Sequence, residues 1–248
     1  MHPYTSSPFR GWLRRAAAVL VTAMAGCAAP SDQLLLEEAI ERRGGRTAYA
    51  SVGGVLRVEE GELRGVPYRS TITYAEPNRL RVDLELAEIG TPITTLFDRQ
   101  RSVQSIGGLA PTLLPAGEAR VLRNRAMDET SFWMVGLDDP NLTTERLPAG
   151  TFRGRDVESV RIHHWTGYGR TLHFDPETRD LIGAEGFTWT RFGRKYLEVV
   201  YDRFETVDGF RVPTAIDAFE GTEPFRTARV VSWSFAPENK ARFALSEG

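Results

Sequence analysis

The sequence holds one cysteine in 248 residues, Cys27, so no internal disulfide can form and a cysteine-rich metal site is excluded. It has no basic run, and 31 Lys and Arg stand against 33 Asp and Glu, which argues against a nucleic-acid partner. Beyond residue 26 no apolar segment approaches the roughly 18 residues of a membrane-crossing helix. No Gly-x-Ser-x-Gly occurs, and no glycine-rich phosphate loop follows a strand. The carboxylate pairs Asp138-Asp139 and Glu59-Glu60 fall in turns or at strand ends, where charges are solvated. The histidines are few: His2, His163, His164 and His173. Neighbours in a strand point to opposite faces, so only one of His163 and His164 could join His173. Asp175, a third ligand on paper, reads more simply as part of the turn Asp175-Pro176-Glu177-Thr178. No catalytic residue, metal or cofactor is therefore expected.

What is present begins at the N-terminus. Residues 1–15 carry Arg10, Arg14 and Arg15 and no acid, and Ala16 to Gly26 (AAAVLVTAMAG) is uncharged and mostly apolar. That order is a secretory leader, too short to span a bilayer. It ends in Met24-Ala25-Gly26-Cys27, which resembles the bacterial lipobox, with Met24 standing where leucine is commoner. Cleavage before Cys27 and lipidation of its thiol would cap an otherwise reactive group, and more than one acyl chain suffices for stable anchoring. The alternative is an ordinary leader with a cysteine nearby. The lipobox resemblance adds that Ala28, in place of the Asp that favours inner-membrane retention, leans toward the outer membrane. The expected organisation is a leader over 1–26, a lipidated tether over 27–33 and one domain over 34–248. Its expected place is the periplasmic face of a bacterial membrane, held through Cys27.

With 41% apolar and 10% aromatic residues the remainder can build a real core. Ser31 or Asp32 can cap a helix through LLLEEAIERR that stops at Gly44-Gly45. Leu80 to Leu86 alternates apolar and charged residues without a fault, the mark of a half-buried strand. Val66, Tyr68, Ile72 and Tyr74 give its partner across the turn Glu76-Pro77-Asn78. Further strands are expected over Ile93–Phe97, Val157–Trp165, Arg170–Asp175, Leu181–Thr190, Lys195–Phe204, Arg211–Phe219 and Thr227–Phe235. The turns between them, such as Arg191-Phe192-Gly193-Arg194 and Val207-Asp208-Gly209, are short, so neighbours are antiparallel.

Mid-chain, Pro115 to Arg125 reads as helical. A second short helix is expected from Asp128, with Met127 and Phe132 as a hydrophobic staple, stopping at Gly136. The fold class is α+β: a large curled antiparallel sheet, a half-open β-barrel, covered on its concave side by a few helices. Two or three helices hardly cover the apolar face of so large a sheet, so an apolar cavity is expected between them. Its lining, from the apolar phase of each strand, is Val66, Tyr68, Ile72, Tyr74, Leu84, Leu86, Phe187, Trp189, Leu197, Val199 and Tyr201, with Phe132 and Trp133 from the helical lid. The alternative is that side chains and helices fill the space.

This order of elements carries Glu76-Pro77-Asn78-Arg79-Leu80-Arg81-Val82, Leu96-Phe97-Asp98, Leu172-His173-Phe174-Asp175-Pro176-Glu177-Thr178 and Val207-Asp208-Gly209-Phe210-Arg211-Val212-Pro213. It resembles the outer-membrane lipoprotein-sorting, LolA/LolB-like carrier superfamily over residues 34–238. The resemblance implies a half-open barrel wrapping a helix-lidded apolar cavity for acyl chains. It also implies a membrane-anchored, non-enzymatic binder of lipid or lipoprotein cargo with a role in envelope trafficking. The chain departs from the family at Glu76, where the soluble carrier has an Arg, at Asp98-Arg99, where the family has Asp-Gly, and near Val103, where a Trp often follows. A periplasmic sensor or scaffold on the same fold is the alternative function.

Overall fold

The computed structural model describes residues 32–75, 79–135, 141–164, 166–190, 193–236 and 243. The leader, Cys27, most of the tether, the turn Glu76-Pro77-Asn78, Gly136, Asp138-Asp139, Trp165 and Arg191-Phe192 lie outside the described residues.

Helix α1 (Asp32–Arg43) opens with an acid and ends with Arg42 and Arg43, each favourable for the helix dipole. It stops as expected: Gly44 turns to φ 137°, and the amides of Gly44 and Gly45 return to Glu41 and Ile40 at 3.2 and 2.9 Å. A short helix α2 (Arg46–Ser51) follows, which sequence reasoning did not anticipate.

Six strands come next: β1 (Gly54–Leu63), β2 (Val66–Ala75), β3 (Arg79–Leu86), β4 (Ile93–Asp98), β5 (Arg101–Ile106) and β6 (Thr112–Leu113). Helix α3 (Ala116–Trp133) leads to seven more. These are β7 (Leu142–Phe152), β8 (Arg155–His164), β9 (Gly169–Phe174), β10 (Leu181–Thr190), β11 (Gly193–Val207), β12 (Phe210–Glu220) and β13 (Glu223–Ala236). All thirteen form one antiparallel sheet in the order β6-β5-β4-β3-β2-β1-β13-β12-β11-β10-β9-β8-β7. Two meanders are thus sewn together along one seam, β1 against β13, and among the described residues β6 and β7 are the edges. Helices α1 and α3 lie on the concave side, α1 against β7 and β12, α3 against β3, β4, β5 and β10. The curled, half-open sheet with helices in its hollow is the expected fold class.

The mid-chain helix differs from expectation. One continuous helix replaces two, because Asp128 does not cap a new one: its carboxylate is held by Arg170 at 2.8 Å and by the Tyr168 hydroxyl at 2.9 Å. The helix ends before Gly136, at Met134 in the left-handed region (φ 55°), with the amides of Met134 and Val135 returning to Ser131 and Thr130 at 3.1 and 3.2 Å. Strands β1, β5, β6 and β7 were not legible in the pattern.

The seam explains a glycine. The register shifts between Val58 and Glu59, and there β13 approaches β1 so closely that a Cβ on Gly61 would lie 1.8 Å from the Thr227 carbonyl oxygen. Gly61→Ala should therefore push the two meanders apart. A loss of about 1–3 kcal/mol, or about 2–10 °C in Tm, is expected. A thermal melt at the wild-type Tm would show that the seam is not so tight.

Candidate functional site

The concave face is built from one phase of each strand. Directly opposed residues share a face, so Val55↔Tyr74, Tyr74↔Leu80, Ile72↔Val82, Ser70↔Leu84 and Tyr68↔Leu86 align the first meander. Val199↔Ala218 and Tyr201↔Ile216 do the same in the second. Of the expected lining residues, Tyr68, Ile72, Tyr74, Phe132, Trp133 and Tyr201 are buried in one core, with Leu84, Leu86 and Val199 packed half-buried against it. Val66 and Leu197 lie half-buried outside that cluster. Phe187 is a correction. It opposes Tyr196, whereas Leu197 opposes Gly186, so Phe187 belongs to the outer face, where it is 50% exposed. Trp189 shares its parity and lies half-buried under the Arg120 guanidinium, 3.7 Å from the ring centroid.

At the end of α3 the core is a nest of rings. Trp133 meets Trp233 at 5.4 Å, Phe235 at 5.7 Å and Tyr49 at 5.6 Å between centroids. Phe132 meets Tyr201 at 4.8 Å, and Phe210 stacks on Phe235 at 4.1 Å. Beside the nest lies a crevice of about 20 Å³, bounded by Tyr49, Val52, Val55, Tyr74, Trp133, Val135 and Phe235. That is room for about one water and not for an acyl chain.

The rest of the hollow is charged, which the apolar expectation missed. Arg57 donates to Glu59 at 3.2 Å and, through both terminal nitrogens, to Glu129 of α3 at 2.8 and 3.3 Å. The Tyr68 hydroxyl and Arg226 add bonds to Glu59 at 3.1 and 3.3 Å. Glu59, expected in a solvated position, has no exposed surface. Burial pushes the Glu59 carboxyl up, but Arg226 and Arg57 outweigh it and hold it below the usual carboxylate range. Burial likewise works against the Arg57 charge, and Glu129 and Glu59 hold it more firmly protonated than usual. Arg125 of α3 goes the other way, lowered by burial and then by Arg226. Since a lone buried charge is expensive, this cluster fixes α3 against the sheet.

The histidines are not brought together. His163 is exposed, and His164 Nδ1 contacts the Thr166 hydroxyl at 2.8 Å. His173 is buried under the Phe152 ring at 4.2 Å, with the Ser159 hydroxyl 2.8 Å from Nδ1. Among the described residues no three His, Cys, Asp or Glu gather as a metal ion would need. Burial lowers His173 to about 4; Glu198 pulls the other way, and Glu185 stands 3.5 Å from Nε2, without reversing it. The unfolded chain takes up this proton near pH 6.5 and the folded one only near 4, so the stabilisation is complete above 6.5 and is lost as pH falls. Acidification across that window should cost up to about 3 kcal/mol. His173→Gln should flatten that limb of a Tm-against-pH curve; an unchanged slope would place the titration elsewhere.

Comparison of the sequence with protein-family models and with curated proteins gave no match. Solved structures do match. A LolA superfamily protein from Nitrosomonas europaea superposes with a TM-score of 0.57 at 15% identity, over 87% of this chain and 98% of that one. An outer membrane lipoprotein-sorting protein domain from Vibrio parahaemolyticus gives 0.54 at 11% identity, over 84% and 95%. A DUF1329 family protein from Desulfovibrio piger gives 0.54 at 11%, over 87% and 98%. The overall fold is thus one that this chain shares with them over nearly their full length. The chain has the fold of the LolA-like lipoprotein-sorting proteins.

Proposed function

We propose that this chain is an exported lipoprotein, anchored through Cys27 at the periplasmic face of a bacterial membrane, that binds acyl chains or an acylated lipoprotein between its sheet and helices. The observation that carries the reading is the ring nest: Phe132 and Trp133 of α3 meet Tyr201, Trp233 and Phe235 of the sheet. These are apolar walls on two separate elements, so displacing α3 would expose a lined trough for an alkyl chain. The state described is closed, and cargo has to lift α3. Supporting the anchor, Cys27 follows the small pair Ala25-Gly26. No enzymatic role is proposed.

A second reading, a sensor or scaffold that carries nothing, is favoured by the small volume of that crevice together with exposed apolar side chains along the first meander. Leu109 and Leu113 are each 72% exposed, and Ile89 and Ile106 about half so.

Two measurements decide. Cys27→Ser should leave an uncleaved precursor or release a soluble form; fractionation with membranes at the processed length would refute the anchor. Titration of a long-chain fatty acid should shift the emission of the buried tryptophans and saturate at low stoichiometry. Leu84→Asp should weaken that response, with Tm measured alongside. A folded protein that takes up no acyl ligand is the scaffold of the second reading.

A further inference from the structure

Arg43, the last residue of α1, is 3% exposed. Its Nη1 donates to the Phe132 carbonyl, and its guanidinium lies 4.3 Å from the Phe132 ring centroid and 5.6 Å from that of Trp133. Among the described residues no carboxylate comes within salt-bridge distance of it. The carbonyl uses one of five N–H donors, and as part of the C-terminal end of α3 it offsets about half a charge. A buried cation compensated so incompletely is costly unless something else completes it.

Two more donors stand beside it without an acceptor. The Tyr49 hydroxyl and Trp133 Nε1 are both buried with no hydrogen-bond partner. Trp133 is 1% exposed, and both side chains line the crevice. Burial pushes the Tyr49 phenol up while the nearby Arg43 charge opposes it. Tyr49 and Trp133 thus line a crevice whose other side-chain walls are Val52, Val55, Tyr74, Val135 and Phe235, and the Arg43 charge stands against the Trp133 ring.

We propose that Arg43, Tyr49 and Trp133 form the head-group anchor of the acyl site and take the carboxylate of a long-chain fatty acid. This rests on the acyl-binding reading above and names its ligand. A carboxylate supplies acceptor oxygens and the missing negative charge together. An ester carbonyl offers acceptors alone and leaves the guanidinium uncompensated. The crevice has room for about one oxygen of the head group, and the tail then runs among the rings once α3 lifts.

The test uses the full chain in phosphatidylcholine vesicles, with a diazirine-bearing palmitic acid and its methyl ester as photo-crosslinking probes, at a pH where the acid is ionised. The acid should label the wild type about tenfold more than the ester. Tyr49→Phe keeps the ring and deletes one donor, so acid labelling should fall about fivefold while ester labelling stays the same. Its melting temperature should hold or rise, because an unpaired buried hydroxyl is removed. Arg43→Lys should also reduce acid labelling. Arg43 holds the end of α3 as well, so Tyr49→Phe is the deciding variant if the lysine variant melts early. Equal labelling by acid and ester, or undiminished acid labelling of Tyr49→Phe, overturns the anchor and leaves the acyl-binding reading standing. Labelling by neither probe in a folded protein overturns both.

Discussion

Arg57 is where the sheet, its seam and the long helix are joined. From β1 it reaches Glu59 on its own strand and Glu129 on α3, and Glu59 in turn holds Tyr68 of β2 and Arg226 of β13. Each member is buried or nearly so, and none can turn to water when a neighbour leaves. Removing one partner from such a set typically costs about 3–5 kcal/mol, far more than the set contributes over an apolar equivalent. Its value lies in what it forbids. A one-residue slip of β13 would carry Arg226 to the outer face and strand Glu59, so the seam's register and the helix's position depend on one another.

The same cluster explains how α3 is seated. Asp128, Glu129 and Thr130 are consecutive, so their side chains leave the helix about 100° apart. Asp128 reaches Arg170 of β9 at 2.8 Å, Glu129 reaches Arg57 of β1 at 2.8 Å, and the Thr130 hydroxyl lies 3.1 Å from that of Tyr74 on β2. One turn is thereby held from both meanders at once. The turn that follows, Phe132 and Trp133, is delivered into the ring nest, and the Met134 cap ends the helix there at a cost of about 1–2 kcal/mol for a non-glycine residue in that conformation.

Whether an element was legible in the sequence depended on whether it obeyed the apolar alternation. Strand β3 did, with Leu80, Val82, Leu84 and Leu86 on the concave phase, and it was found with its partner β2. Strand β1 did not. Its concave phase is Val55, Arg57, Glu59, Gly61 and Leu63, so the charges that fix the fold disguised the strand that carries them. Strand β6 is a two-residue edge element and β5 beside it is short with mixed phases, and β7 carries a Pro and a Gly where its register against β8 shifts. The site was half legible for the same reason. Tyr68, Ile72, Tyr74 and Tyr201 followed from periodicity, whereas Arg57, Glu59, Asp128, Glu129 and Arg170 pair only across strands and helix that no local pattern connects. Phe187 was misplaced because β10 carries apolar side chains on both phases, and only its pairing with Tyr196 tells them apart.

The closed hollow and an acyl ligand are reconciled by magnitude. Lifting α3 far enough to admit a chain separates Glu129 from Arg57, and stranding a buried charge costs about 3–5 kcal/mol. Burying a methylene against the rings returns about 0.8 kcal/mol before ordering costs, so the first half-dozen or so methylenes only offset the opening. On the acyl-binding reading, short chains would leave the helix shut and long ones would lift it. The ion-pair cluster that looks ill-suited to a lipid site would then set the minimum length of what the site accepts. Water drawn in beside the opened charges would lower that threshold, since a carboxylate exposed to solvent no longer needs its partner. On that reading a polar cluster beside an apolar nest would act as a graded closure, weak against a long chain and firm against a short one.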